Sequence, residues 1–161
     1  MCAATACEMA GVPNVSYNGS TLDACPNTFI VSSRINWVPY MKYMIECVRD
    51  NKAIDTDWCK GINEGAVELT PINEKVAAPG TAEAIKAAEE QFKAGTLHVF
   101  DTSTFTVDGK TLTSYMADVN TDEKFTPDTE VISNGYFHES EKRSAPYFDI
   151  NIDGITLLNE G

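Results

Sequence analysis

The spacing of apolar positions changes along the chain, and each change marks an element. Phe29-Ile30-Val31 is a compact β-prone run, read as a strand over residues 29–32. The sequence then turns polar through Ser32, Ser33, Arg34 and Asn36, which sets small hydroxyls, a planar cation and an amide at the strand's carboxyl end. From Trp37 the period becomes helical: Trp37, Met41, Met44, Ile45 and Val48 fall at i, i+4, i+7, i+8 and i+11. That spacing predicts a helix over residues 37–51, capped by Asn36 and opened by Trp37. Pro39 falls in its first turn, where a missing N–H costs little. Lys42, Glu46, Arg49 and Asp50 are left for water, and the apolar stripe is expected to pack on the sheet.

The same reading gives a helix over residues 3–10 closed by Gly11, then a strand over 12–17 that ends in the turn Asn18-Gly19-Ser20. Residues 66–72 alternate well enough for a strand. Thr81 is expected to cap a helix over 82–94, buried along Ile85, Ala88 and Phe92 and ended by Gly95. Residues 97–100 and 130–132 read as short strands. Asp108-Gly109 and Asp153-Gly154 are expected to close two β-hairpins, over 104–115 and 147–158, because Asp-Gly suits a type I′ turn. Strands alternating with helices first, and hairpins afterwards, predict an α/β fold without a clean internal linker.

Length and charge narrow the function. A chain of 161 residues suffices for one domain or two small lobes, and 43% hydrophobic with 22% charged residues describes a globular protein. A net charge of −12 argues against nucleic acid or an anionic membrane surface as partner, since both reward clustered Lys and Arg. The apolar stretches fall well short of the roughly 18–20 residues that span a bilayer. The opening residues lack the basic start and apolar core of a signal peptide, and the chain enters a helix at once, so the front of a longer protein is expected to be missing. The five cysteines (Cys2, Cys7, Cys25, Cys47 and Cys59) include no CxxC pair; most are expected to be buried or free thiols, with a disulfide open to some of them. With no G-x-S-x-G, Walker A or G-x-G-x-x-G motif, no cofactor is expected.

Ligands of open α/β sheets bind at strand carboxyl ends, so two stretches draw the candidate chemistry. One is Asn18, either a polar contact or simply part of a turn. The other is Ser33, Arg34, Asn36 and Trp37, with Tyr40 a weaker candidate. Arg34 can pair with a ligand acceptor or a local carboxylate; Trp37 can stack on a flat ligand or anchor its helix.

The ordered set of segments GVPNVSYNGS (residues 11–20), TFIVSSRINWVPYMKY (28–43), WCKGINEGAVELTPIN (58–73), AGTLHVFD (94–101) and VISNGYFHESEKRSAPYFDINIDGI (131–155) resembles the BMP family of bacterial ABC-transporter substrate-binding lipoproteins. The best-understood members of that family bind purine nucleosides. The resemblance implies a type I periplasmic-binding-protein fold, two α/β lobes around a hinge, of which residues 1–161 match the carboxyl-terminal part with segments of both lobes. It also implies an extracytoplasmic, membrane-anchored protein that delivers a small molecule to an ABC permease by hinge closure. Where the family places an acidic residue in its GVD-type segment, this sequence has Asn18. Where it has a Thr-Ser pair followed by Lys, this sequence has Ser32-Ser33 and, near the Lys position, Asn36.

Two other readings compete. One is a small hydrolase using His138 with Glu139 or Glu141. The other is a ligand-free interaction domain that self-associates. Pieces of both lobes without their sheet partners would expose strand edges and helix faces, so the isolated chain is also expected to dimerise, rearrange or form part of a larger assembly.

Overall fold

Alanine-rich residues at the front form α1 (Ala3–Ala10), closed by Gly11 at φ +66°. The structure is a computed structural model that describes residues 3–120 and 122–157. The chain divides into two units, Met1–Ile54 with Lys60–Leu97, and Asp55–Cys59 with His98–Gly161. The fold is mixed α/β, with three helices and small sheets among the described residues.

In the first unit, β1 (Asn14–Tyr17) and β2 (Phe29–Ile35) run parallel, and β3 (Val67–Leu69) joins the other side of β2 antiparallel. The register sets Tyr17 beside Ser33, and Ser33, Arg34 and Ile35 beside Leu69, Glu68 and Val67. β2 therefore runs three residues past the strand expected over residues 29–32. Pairing with β3 supplies backbone partners that let the polar Ser33 and Arg34 stay extended. The core is small: Phe29 and Cys25 are fully buried and pack with Ala4 of α1.

Polar side chains close the gaps around that core. The buried Asn73 donates through Nδ2 to the Pro26 and Phe29 carbonyls at 3.1 and 2.9 Å, while its N–H reaches the Ile30 carbonyl. Glu8 at the end of α1 accepts the Thr28 hydroxyl at 2.7 Å and the Asn27 amide at 2.6 Å. The Thr28 hydroxyl, followed by the Asn27 groups, holds the Glu8 carboxyl below the ordinary range.

The helix α2 (Val38–Arg49) has the predicted period but the opposite orientation. Trp37 (57% exposed), Met41, Ile45 and Val48 (72%) lie in the open; Cys47 is buried, and Tyr40, Tyr43 and Met44 are half-buried. The helix carries a second apolar row at Tyr40, Tyr43, Met44 and Cys47, and that row is the one turned inward. The helix α3 (Thr81–Ala94) shields Ile85, Ala88 and Phe92 partially and buries no residue fully. Gly80, at φ +86°, stands at its N-cap in place of Thr81, whose hydroxyl instead donates to the Ala78 carbonyl. Gly95 ends the helix in left-handed backbone.

The second unit is built from two-residue strands: β4 (Met116–Ala117) with β5 (Thr129–Glu130), and β6 (Ile132–Ser133) with β7 (Tyr136–Phe137). Its core joins Ala117, Val131, Ile132, Phe137 and Tyr147, flanked by Phe100 and Phe148. Residues 97–100 form no strand, although the Phe100 carbonyl accepts the Phe137 N–H. Asp108-Gly109 makes the expected tight turn, but its flanks meet only at the Val107–Lys110 bridge. Asp153-Gly154 also turns without a ladder among the described residues, and Leu158 of that expected hairpin lies outside them. Asp153 instead reaches back to accept the Thr106 hydroxyl and the Gly109 and Asp108 N–H groups. The hairpin that does form, around Asn134-Gly135, carries an Asn-Gly signal flanked by too few strand-forming residues to stand out.

Four carboxyls held low by local donors give the fold a common acid sensitivity. Glu8 is held by Thr28, Asp101 by Ser103, Glu130 by Ser114 and Asp153 by Thr106. A depressed folded-state value adds stability that is complete above the unfolded value and lost as pH falls through the folded one. The melting temperature is therefore expected to be flat from about pH 6 to 8 and to drop below about pH 4.5. Thermal melts across pH check this, and Glu8→Gln should reduce the drop.

Candidate functional site

Parallel pairing of β1 and β2 brings their carboxyl ends to one edge of the sheet. Asn18 follows Tyr17 in left-handed backbone at φ +63°, a conformation in which asparagine is enriched. The Gly19 N–H then donates to the buried Ser32 Oγ at 3.3 Å, folding the Asn18-Gly19 turn against β2. Asn18 and Ser33 thus come from adjacent strand ends.

Ser33 and Arg34, as neighbours on a strand, point to opposite faces. Ser33 shares its face with Tyr17 and Leu69; Arg34 shares its face with Glu68. The Arg34 guanidinium is paired with Glu68, both side chains remaining partly exposed. Asn36 is fixed at both ends: its N–H donates to the Ala66 carbonyl at 2.8 Å, and its Oδ1 accepts the Val38 N–H at 3.2 Å. Trp37, not Asn36, occupies the N-cap position of α2, so Asn36 satisfies a first-turn N–H from one residue farther out. The exposed Trp37 ring meets Tyr40 edge-on, with centroids 6.3 Å apart, and does not anchor the helix in a core.

A second constellation lies on the β6–β7 hairpin. Ser133 and Tyr136 are cross-strand partners, and His138 lies two residues beyond Tyr136, which puts all three on one face. Ser133 Oγ lies 2.7 Å from His138 Nε2, and His138 Nδ1 lies 2.7 Å from Glu141 Oε2. With the imidazole proton on Nδ1, the ring donates to Glu141 and accepts from the serine. The Ser133 carbonyl, 3.3 Å from Nε2, competes for the ring in the other tautomer. Glu139 is engaged elsewhere: its Oε1 accepts the Tyr147 N–H at 3.1 Å.

The same unit holds an open cavity of about 400 Å³ lined by Tyr115, Phe125, Tyr147 and Phe148, with Asp118, Arg143 and Asp149 among its polar groups. Tyr115 donates to Asp149 Oδ1 at 2.6 Å, and that bond, with burial, pushes its hydroxyl up to about 12. Arg143 is occupied by backbone carbonyls of Asn120, Ala145 and Pro146. Among the described residues, no three His, Cys, Asp or Glu side chains converge as a metal site, and no helix is long and apolar enough to cross a membrane.

Two residues join these sites that the sequence reading did not single out. Glu68 sits between Val67 and Leu69, and its charge inside an apolar run was the available signal. Ser133 precedes the Asn134-Gly135 turn that folds it toward His138. No protein-family model matches this chain, and no curated protein matches it.

Proposed function

We propose that this chain is the carboxyl-terminal part of a BMP-type, type I solute-binding protein serving an ABC importer outside the cytoplasm. Its solute is a nucleoside or a related small molecule, captured without a covalent step. The reading rests on the ordered sequence resemblance, and one structural observation carries it furthest. The adjacent ends of β1 and β2 bring Asn18, just past Tyr17, next to the Ser33-Arg34 stretch, with the exposed Trp37 following on the same stretch. Amide, hydroxyl, cation and flat indole are the groups a base and its ribose require. A thermal-shift screen of purine and pyrimidine nucleosides against the full-length protein tests it. A rise in melting temperature with at least one nucleoside is expected; no response to any of them removes the nucleoside assignment.

The open face of α2 supports self-association of the isolated chain. Trp37, Val38, Met41, Ile45 and Val48 form a continuous apolar stripe in solvent, a feature single soluble domains seldom carry. The edge strand β1 adds exposed Val15 and Tyr17. Sedimentation velocity is expected to show species larger than a monomer, and Ile45→Lys to shift them toward monomer. A wild-type monomer at all concentrations contradicts this.

The Ser133–His138–Glu141 arrangement favours a second reading, a small hydrolase with an activated serine. Labelling by a fluorophosphonate probe, lost in Ser133→Ala and His138→Ala, supports it; an unlabelled wild-type protein removes it.

A further inference from the structure

We infer that Glu68 supplies the carboxylate that grips the ribose diol of the bound nucleoside, with Arg34 holding it in place; this rests on the nucleoside reading above. A vicinal diol presents two O–H donors side by side, and a carboxylate can accept both at once. Asn18 is the weaker partner: its amide oxygen is an uncharged acceptor, and its NH₂ only donates. Asn18 therefore offers a diol no charged acceptor at the end of β1.

The sheet provides one two strands away. Because β3 runs antiparallel to β2, Glu68 falls directly opposite Arg34, one step beyond the Tyr17–Ser33–Leu69 row. Asn18 follows Tyr17 at that same step, so Asn18, Arg34 and Glu68 span the three strands at one level of the sheet's edge. The bond from the Gly19 N–H to Ser32 Oγ leans the Asn18-Gly19 turn over the face that Ser32 shares with Arg34. Glu68 pairs with Arg34 Nη2 through Oε1, and among the described residues its side chain has no other hydrogen-bond or ion-pair partner. Oε2, with the remaining lone pairs of Oε1, is available to two hydroxyls. At 55% and 36% exposure, the arginine and glutamate side chains are reachable by a solute. An ion pair this open contributes little to stability.

The test is a cycle on the full-length protein. Binding of a ribonucleoside and its 2′-deoxy and 3′-deoxy analogues is measured by calorimetry in wild type and in Glu68→Gln, a neutral near-isostere. Wild type is expected to bind the ribonucleoside about tenfold or more tightly than either deoxy analogue, since hydrogen bonds to a charged acceptor are the stronger kind. Glu68→Gln is expected to weaken the ribonucleoside by a similar factor and each deoxy analogue by less, because each analogue keeps only one hydroxyl on the carboxylate. Equal binding of ribo and deoxy forms by wild type overturns the diol assignment with no variant needed, and leaves the nucleoside reading standing. So does an equal loss for all three ligands in Glu68→Gln. If no nucleoside binds wild type, both fall together.

Discussion

Replacing Phe29 with alanine is expected to cost the unit that carries the strand ends about 3–5 kcal/mol. Among the described residues, Phe29 is fully buried at the start of β2 and is the one large ring in its cluster with Ala4 and Cys25; the unit's other buried apolar residues, Val31, Cys47 and Ala66, are also small. Small neighbours collapse poorly into a space the size of a phenyl group, so the cavity cost adds to the lost transfer energy. The same residue is tied by its backbone: Asn73 Nδ2 donates to its carbonyl at 2.9 Å, and its N–H reaches Cys25. Typical domains have about 5–15 kcal/mol in total, so this change takes a large share. The chain's two tryptophans fall one in each unit, Trp37 in the first and Trp58 in the second. Urea unfolding followed through Trp37 in a Trp58→Phe background reads the effect directly. A loss under about 1 kcal/mol contradicts the account of this core.

Phe137→Ala is expected to cost the second unit a comparable amount, about 3–5 kcal/mol. Phe137 is 2% exposed and touches four other rings. Phe148 meets it edge-on at 4.8 Å, with Tyr147, Tyr115 and Phe100 at 5.8 to 6.2 Å. Aromatic pairs of this kind add to what area burial alone provides. Strands of two residues contribute few ladder bonds, so this cluster carries most of the unit's stabilisation. Unfolding followed through Trp58 in a Trp37→Phe background is expected to move to lower urea. Phe148→Leu, which keeps an apolar side chain in the cluster, should cost less.

How much of this was legible from sequence depended on whether the signal was local. The first helix was readable because alanines set its interior and Gly11 its end, both within one stretch of chain. The period of α2 was equally local and correct. Its orientation was not, because period tells which residues share a face and not what covers it; the helix had two apolar rows, and the one turned inward is Tyr40, Tyr43, Met44 and Cys47. The length of β2 was hidden for a related reason. Ser33, Arg34 and Ile35 are extended because Val67, Glu68 and Leu69 pair with them, a partnership made far along the chain.

The candidate site followed the same rule. Asn18, Ser33, Arg34, Asn36 and Trp37 were readable as polar or flat groups at strand ends, and parallel pairing sets Asn18 and Ser33 on neighbouring strands. Strand alternation separates Ser33 from Arg34, and Arg34 turns to Glu68. Glu68 itself was legible only once the register across the sheet was known. In the second unit, His138 and Glu141 were visible as a short polar run, whereas Ser133 joined them through a turn whose flanking strands are only two residues long.

The central claim is that the full-length protein captures a nucleoside at these strand ends. Calorimetric titration with a purine nucleoside, in wild type and in Arg34→Ala, tests it most directly. Saturable one-to-one binding that weakens about tenfold or more in the variant is the predicted result. Heats no different from dilution for every nucleoside, or identical affinity in wild type and Arg34→Ala, would contradict it.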